Sequence, residues 1–531
     1  MDRGVRAAGR FLLGCATVMA AGAASDGPAI KTDTGLVQGT HSAEYPKVIV
    51  FYGLPYAAPP LGALRWKPPQ PPASWTGVRR ADQLSAACPQ PDRMVMFRRR
   101  VVAELGGDPS TQKQDTTNED CLYLNVMTTP GAPGERRPVM VYLHGGSGVS
   151  GRGNEEGAAL ADAGAVVVTL NYRLGVLGWL AHPALTAESA HGSSGNYGLL
   201  DQIAALQWIH RNIARFGGDP ENVTVFGHSS GAEYVACLII SPLARGLLRA
   251  IVQSYAPFEL RPSVHHPSGE VQAAEELGLK LAGSLGASGG SDGIKTLRSM
   301  PAEKLVVDAL PYDLVVDGWV LPDQPLAMFA RGQQADMPVM AGSTSRELSI
   351  YVTEPLSEEG YRDWAKGRFG PVVDEVLRLY PAPESGDASE SFIRAGTELI
   401  IGAPVRWLAE ATSKKKSRAY LYRVDWGFGT KGGQRLGAFH AIDIVLLFGL
   451  RGVPWDESGE TVARTMRRYW VQFARTGDPN GSGLPAWPAY DAAKASFLNL
   501  GTDTRQATVL DNDSFRLIQR LYSERMAALS H

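Results

Sequence analysis

The sequence predicts an α/β fold: a central, mostly parallel sheet flanked by helices, with a small N-terminal β-subdomain. Three observations carry this. Residues 139–143 and 165–170 are apolar throughout, without the polar alternation of a half-exposed strand, so they read as strands buried on both faces. Residues 199–216 follow with apolar positions at Ile203, Leu206, Ile209 and Ile213, a helical spacing. Then the strand-like run 222–226 meets a small-residue helical pattern, 232–240, through Gly227-His228-Ser229-Ser230-Gly231. Buried strands alternating with helices need helices on both faces of the sheet.

Taken in order, residues 34–39 and 48–52 read as early strands. The Pro-rich segment 55–72 offers Leu61, Leu64 and Trp66 as apolar anchors. Residues 122–126 form a third strand, and 338–341 a short further member of the sheet, ended by Gly342. Residues 420–424 read as the last clear strand.

The chain has 531 residues, 44% of them hydrophobic, and a formal net charge of −2. That is enough apolar sequence for a large core. The near-neutral balance argues against nucleic acid as the main partner. Arg3, Arg6 and Arg10 precede an apolar stretch at 11–21, and small residues follow. This order predicts a signal peptide over residues 1–24, hence a secreted or periplasmic protein, with 25–531 as one domain. The apolar stretch is too short to span a membrane, and no later run is long enough. Cys15, after Leu12-Leu13-Gly14, also admits a lipid-attachment reading. In an oxidising compartment Cys88 and Cys121 can bridge; two free thiols is the alternative. Cys237, among Val235, Ala236 and Leu238, reads as a buried core residue. No cysteines or histidines show metal-ligand spacing.

Gly-x-Ser-x-Gly between strand and helix is the signature of a nucleophile elbow, with Ser229 held in a tight turn and its Oγ exposed above the sheet. A serine hydroxyl needs a base, and the base needs a third group to orient it. In the expected chain order of nucleophile, acid and base, His440 is the base and Glu347, just past the strand 338–341, is the acid. Asp443 is the runner-up acid, although it follows His440. His265 and His266 sit in a polar stretch beside Pro267 and read as a surface loop. His144-Gly145-Gly146-Ser147-Gly148 follows a buried strand. Gly146 and Ser147 are its candidate backbone donors to an oxyanion, joined by the N–H of Ser230.

Longer motifs than the elbow carry a resemblance. They are Phe51-Tyr52-Gly53-Leu54-Pro55-Tyr56, Glu119-Asp120-Cys121-Leu122-Tyr123-Leu124-Asn125-Val126, Asn171-Tyr172-Arg173, Gly195-Asn196-Tyr197-Gly198, Phe216-Gly217-Gly218-Asp219-Pro220 and Thr476-Gly477-Asp478-Pro479-Asn480. Over about residues 34–490 the chain resembles the type B carboxylesterase/lipase family of the α/β-hydrolase fold. The resemblance implies hydrolysis of small-molecule esters through an acyl-enzyme, with Ser229, Glu347 and His440 as triad and Gly146, Ser147 and Ser230 as oxyanion hole. It implies a Cys88–Cys121 disulfide, a bridged loop overhanging the site, and no metal or organic cofactor. Two other readings use the same fold: a non-catalytic binding protein and an amidase.

Four positions depart from the family pattern. His228 and Ser230 stand where Glu and Ala are usual, which makes His228 a wall residue and replaces an anion with an imidazole. Gly148 stands where an aromatic is usual, which is expected to open the pocket, and Leu348 replaces a Gly. The 88–121 loop carries Phe97 and Arg98, Arg99 and Arg100 but no Trp. Cholinesterase-like proteins use a Trp there to hold a quaternary ammonium, so a choline ester is not expected. The arginines suggest either an anionic ester or a solvated basic surface.

Overall fold

The computed structural model describes residues 26–529 apart from 133, 155–156, 257, 269, 385 and 509–511. The expected signal peptide and Cys15 lie outside the described residues.

Among the described residues, thirteen strands form one sheet. They are β1 (Asp26–Lys31), β2 (Leu36–His41), β3 (Ile49–Pro55), β4 (Val78–Arg80), β5 (Tyr123–Thr128), β6 (Arg137–Leu143), β7 (Val166–Leu170), β8 (Gly218–His228), β9 (Arg249–Gln253), β10 (Val339–Thr344), β11 (Ala419–Val424), β12 (Ser496–Leu500) and β13 (Arg505–Thr508). The order is β1-β2-β3-β5-β7-β6-β8-β9-β10-β11-β12-β13, with β4 beside β2. From β7 to β12 neighbouring strands are parallel; β1, β2, β3 and β5 extend the same sheet in antiparallel fashion.

Patterning accounts for this arrangement. All residues of β6, β7 and β10 are buried, as strands covered on both faces must be. The exposed pattern of β1 and β13 marks them as edges. The helices that matter here are α1 (Arg93–Glu104), α2 (Tyr197–Asn212), α3 (Ser230–Ile240), α4 (Ile442–Phe448) and α5 (Glu457–Thr476). Separate apolar clusters form the two faces of the sheet: Val141, Val225 and Val252 belong to one, while Met140, Phe226 and Ile251 belong to the other. That split is the period of two of an extended strand.

Several motif residues turn out to be braces. Arg65 donates to both carboxylate oxygens of Glu119 (2.6 and 2.5 Å) and caps the carbonyls of Leu297 and Met300. Arg173 donates to both oxygens of the fully buried Asp201 (2.8 and 2.7 Å). Removing one partner of such a pair strands a buried charge and costs about 3–5 kcal/mol. Cys88 and Cys121 are joined, with Cα atoms 5.1 Å apart. The loop they close carries α1, and loop closure of this length is worth roughly 3–4 kcal/mol.

Five strands lack a counterpart in the sequence prediction: β1, β4, β9, β12 and β13. Of the expected anchors in the Pro-rich segment, Trp66 is buried and donates its indole N–H to Val176 O (2.9 Å), but Leu61 is exposed. A short apolar residue in an irregular segment finds a pocket only if the tertiary fold supplies one.

Candidate active site

Ser229 stands between β8 and α3, with φ 58° and ψ −130°. Such a conformation costs about 1–3 kcal/mol and persists only where its surroundings over-determine it. Here Ser229 N–H donates to Gln253 O on β9 (3.0 Å), and Ser229 O accepts from Ala232 and Glu233 N–H (2.9 and 3.1 Å). The turn also demands glycine on both sides. A Cβ at Gly227 would lie 2.4 Å from Gly231 O, and one at Gly231 would lie 2.2 Å from Leu143 O.

Glu347 follows β10, and His440 lies on the loop before α4. Two backbone hydrogen bonds, which pair Arg346 with Phe439, zip the two loops together: Arg346 N–H to Ala438 O (3.0 Å) and His440 N–H to Glu347 O (3.2 Å). The Glu347 carboxylate is fully buried. One oxygen accepts from Thr344 N–H and the other from His440 Nδ1, both at 2.6 Å. A carboxylate acceptor at Nδ1 fixes the proton there and leaves Nε2 with the lone pair of a base. Ser229, His440 and Gly146 line one cavity of about 410 Å³, whose walls are largely apolar: Phe97, Val101, Tyr142, Ile350, Tyr351 and Val445 among them. A separate cavity of about 270 Å³ between Arg394, Arg406 and Glu398 holds no part of this constellation.

The remaining sequence-predicted residues fall as follows. Gly146 O accepts from Val149 and Ser150 N–H (3.2 and 3.1 Å), which folds the Gly-rich loop over the elbow. Ser147, at φ 55°, donates its N–H to Ser230 Oγ at 2.9 Å. With Ala, the family's usual residue, at position 230 that acceptor would not exist. Phe97 lines the cavity and stacks on Tyr351 with ring centres 6.3 Å apart. His228 is a buried wall residue, its ring centre 4.3 Å from that of His440.

Gly148 lines neither this cavity nor the one beyond Ser229. A Cβ there would lie 2.7 Å from Asp313 Cβ and 3.0 Å from the Tyr234 hydroxyl. The space that an aromatic would take is therefore filled by Asp313 rather than left open. The basic run is likewise engaged within its surroundings: Arg98 faces Asp115 (3.7 Å), Arg99 Nε donates to Gln112 O (2.9 Å), and Arg100 donates to Ile350 O (2.7 Å). His265 is exposed beside Glu275 (3.1 Å).

Asp443 sits below this pair, fully buried. Gln253 Nε2 and the Tyr422 hydroxyl donate to one oxygen (3.1 and 3.4 Å), and Ile444 N–H to the other (2.9 Å). His228 Nε2 lies 3.8 Å from it, beyond hydrogen-bonding range. Burial, and next the charge of Glu347, push the Asp443 carboxyl up to about 6. Burial and then the neighbouring His440 hold the His228 imidazole well below its ordinary value, so it is neutral at pH 7. Burial also brings His144, stacked on Tyr172, down to about 4.

Sequence reasoning missed a charged group on the far side of the elbow. Arg261 pairs with Glu233 on α3 and with Asp313 (3.1 Å). Glu233 was the available signal: a lone carboxylate inside the apolar run Ala232 to Ile240 must find a partner.

Known proteins match nearly the whole chain. The model of the carboxylesterase family matches residues 26–518. A fumonisin B1 esterase from Sphingopyxis macrogoltabida is 34% identical, over 92% of this chain and 90% of its own. A para-nitrobenzyl esterase from Bacillus subtilis (strain 168) is 33% identical, over 91% and 95%. A solved PNB esterase structure superposes with a TM-score of 0.78 at 29% identity, covering 92% of this chain and 99% of its own. The long motifs, the mostly parallel sheet and these matches agree: the chain belongs to the carboxylesterase family and has its α/β-hydrolase fold.

Proposed function

We propose that the protein is a serine carboxylesterase that works through an acyl-enzyme, with Ser229 as nucleophile, His440 as base and Glu347 as orienting acid. The observation that carries the reading is the 2.6 Å Glu347–His440 contact at the rim of the cavity that Ser229 also lines. His440 Nε2 takes the Ser229 proton as Oγ attacks the ester carbonyl, and Glu347 stabilises the imidazolium that results. Gly146, Ser147 and Ser230 N–H groups receive the oxyanion, and the start of α3 adds its positive dipole end. Ser147 N–H reaches the oxyanion once the Ser230 hydroxyl releases it. His440 then protonates the leaving alcohol, and water repeats the sequence on the acyl-enzyme. No step calls for a metal or organic cofactor.

Hydrolysis of a p-nitrophenyl ester by wild type and Ser229→Ala tests the reading. A burst of one p-nitrophenol per chain, lost with Ser229, is the expected result; equal turnover by both proteins would end it. Export is part of the same proposal, supported by the apolar N-terminal segment and the Cys88–Cys121 bridge. Sequencing the N-terminus of the protein recovered outside the cytoplasm tests it, and an intact Met1 there would contradict cleavage after residue 24.

A further inference from the structure

Ser229 has space on two sides. The cavity already described also holds His440. A second compartment of about 280 Å³ opens on the other side of the elbow, lined by Ser147, Ser229 and Ser230 and by Glu233, Arg261 and Asp313, without His440. Chemistry assigns the halves of an ester to these spaces. The leaving oxygen must be protonated by His440, so the alcohol half lies in the apolar cavity. The acyl half, bonded to Ser229 in the intermediate, lies in the second compartment.

The second compartment is built. Gln324 accepts from Arg261 N–H (2.8 Å) and donates to Arg261 O (2.7 Å), fixing that residue's backbone. Both terminal nitrogens of its guanidinium are taken, one by Glu233 and one by Asp313. The Tyr234 hydroxyl donates to the other oxygen of Asp313 (2.8 Å). Asp313 reaches this position because Gly148 has no side chain to displace it. The lining thus carries two carboxylates against one guanidinium, a net charge of −1, beside Tyr312, whose hydroxyl accepts from Ala181 N–H (2.9 Å).

We infer that the acyl subsite selects a polar, uncharged acyl group, a hydroxyacyl ester, while the alcohol side takes an apolar group. The inference rests on the ester-hydrolase reading above. A hydroxyl can donate to the carboxylates without bringing a second charge out of water. A carboxylate on the acyl chain meets the net negative charge, and Arg261 is already engaged. An alkyl chain displaces water from these charged groups and returns no hydrogen bond to them.

Three p-nitrophenyl esters of shared leaving group test this: butanoate, 3-hydroxybutanoate and the monoester of succinate. Expected kcat/KM is about tenfold higher for 3-hydroxybutanoate than for butanoate, as one charge-assisted hydrogen bond allows, and at least about tenfold lower for the succinate. Asp313→Asn removes one negative charge and narrows the succinate-to-butanoate gap; because the readout is a ratio within one protein, partial loss of folded enzyme does not mimic it. Butanoate equal to or better than 3-hydroxybutanoate, a preference for succinate, or an unchanged ratio in Asp313→Asn overturns the inference. Ser229-dependent hydrolysis of butanoate in that case leaves the esterase reading standing. If none of the three esters is cleaved in a Ser229-dependent way, both fall.

Discussion

Two carboxylate–imidazole pairs lie side by side beneath the elbow, made of the same side-chain types and equally removed from water. Glu347 and His440 are in contact at 2.6 Å; Asp443 and His228 are 3.8 Å apart. The first pair is a hydrogen bond, and its imidazole faces the cavity. The second is not, and each partner settles instead toward its neutral form. Just over an ångström separates a hydrogen-bonded imidazole from one that makes no bond to its neighbouring carboxylate. Residue type alone therefore does not say which carboxylate meets which imidazole; the zipped loops around Glu347 and His440 bring that pair into contact.

The largest test of that contrast compares the imidazoles. His440→Ala is expected to lower kcat by about 10⁴-fold or more, and His228→Ala by less than about tenfold. Equal losses, measured as kcat on one ester, would remove the distinction. The carboxylates come next. Glu347→Gln should cost about 10³–10⁴-fold in kcat by favouring the wrong imidazole tautomer, and Asp443→Asn far less.

Stability against pH sharpens the comparison further, because the second pair responds with opposite signs. Asp443, raised to about 6, binds its proton more tightly folded than unfolded, so its contribution falls as pH rises from about 4 to 6. Asp443→Asn should gain stability relative to wild type across that window, up to about 3 kcal/mol above it. His228, held neutral, binds its proton less tightly folded than unfolded, so it destabilises the fold as pH drops below about 6.5. His228→Gln should be the more acid-tolerant protein below that pH. Urea midpoints at pH 4.5, 6 and 7.5 check both; parallel curves for all three proteins would count against both shifts. The smallest effect is expected at Ser230. Ser230→Ala frees Ser147 N–H, and about one hydrogen bond's worth of competition predicts a rise in kcat of up to roughly fivefold. A fall in kcat would mean that the hydroxyl assists catalysis.

Much of this molecule was legible beforehand. The buried strands β6, β7 and β8, the helices α2 and α3 and the Ser229 turn were visible because apolar periodicity and glycine placement are local signals. Ser229, Glu347 and His440 were named from the elbow and their chain order, and the structure brings Glu347 and His440 into contact. The strands β9, β12 and β13 were not legible, since a five-residue run such as Arg249–Gln253 becomes a strand through the ladder its neighbours offer.

By itself, then, the sequence determined the α/β class, the elbow and the types of residue that chemistry needs, because those follow from near-neighbour sterics and patterning. Only the tertiary structure decided which acid contacts His440, that Asp313 occupies the space Gly148 leaves, and that Arg261 meets Glu233 28 positions away. Each of these depends on distances set by packing between remote segments, and an interaction that changes character within an ångström has no signature in residue order.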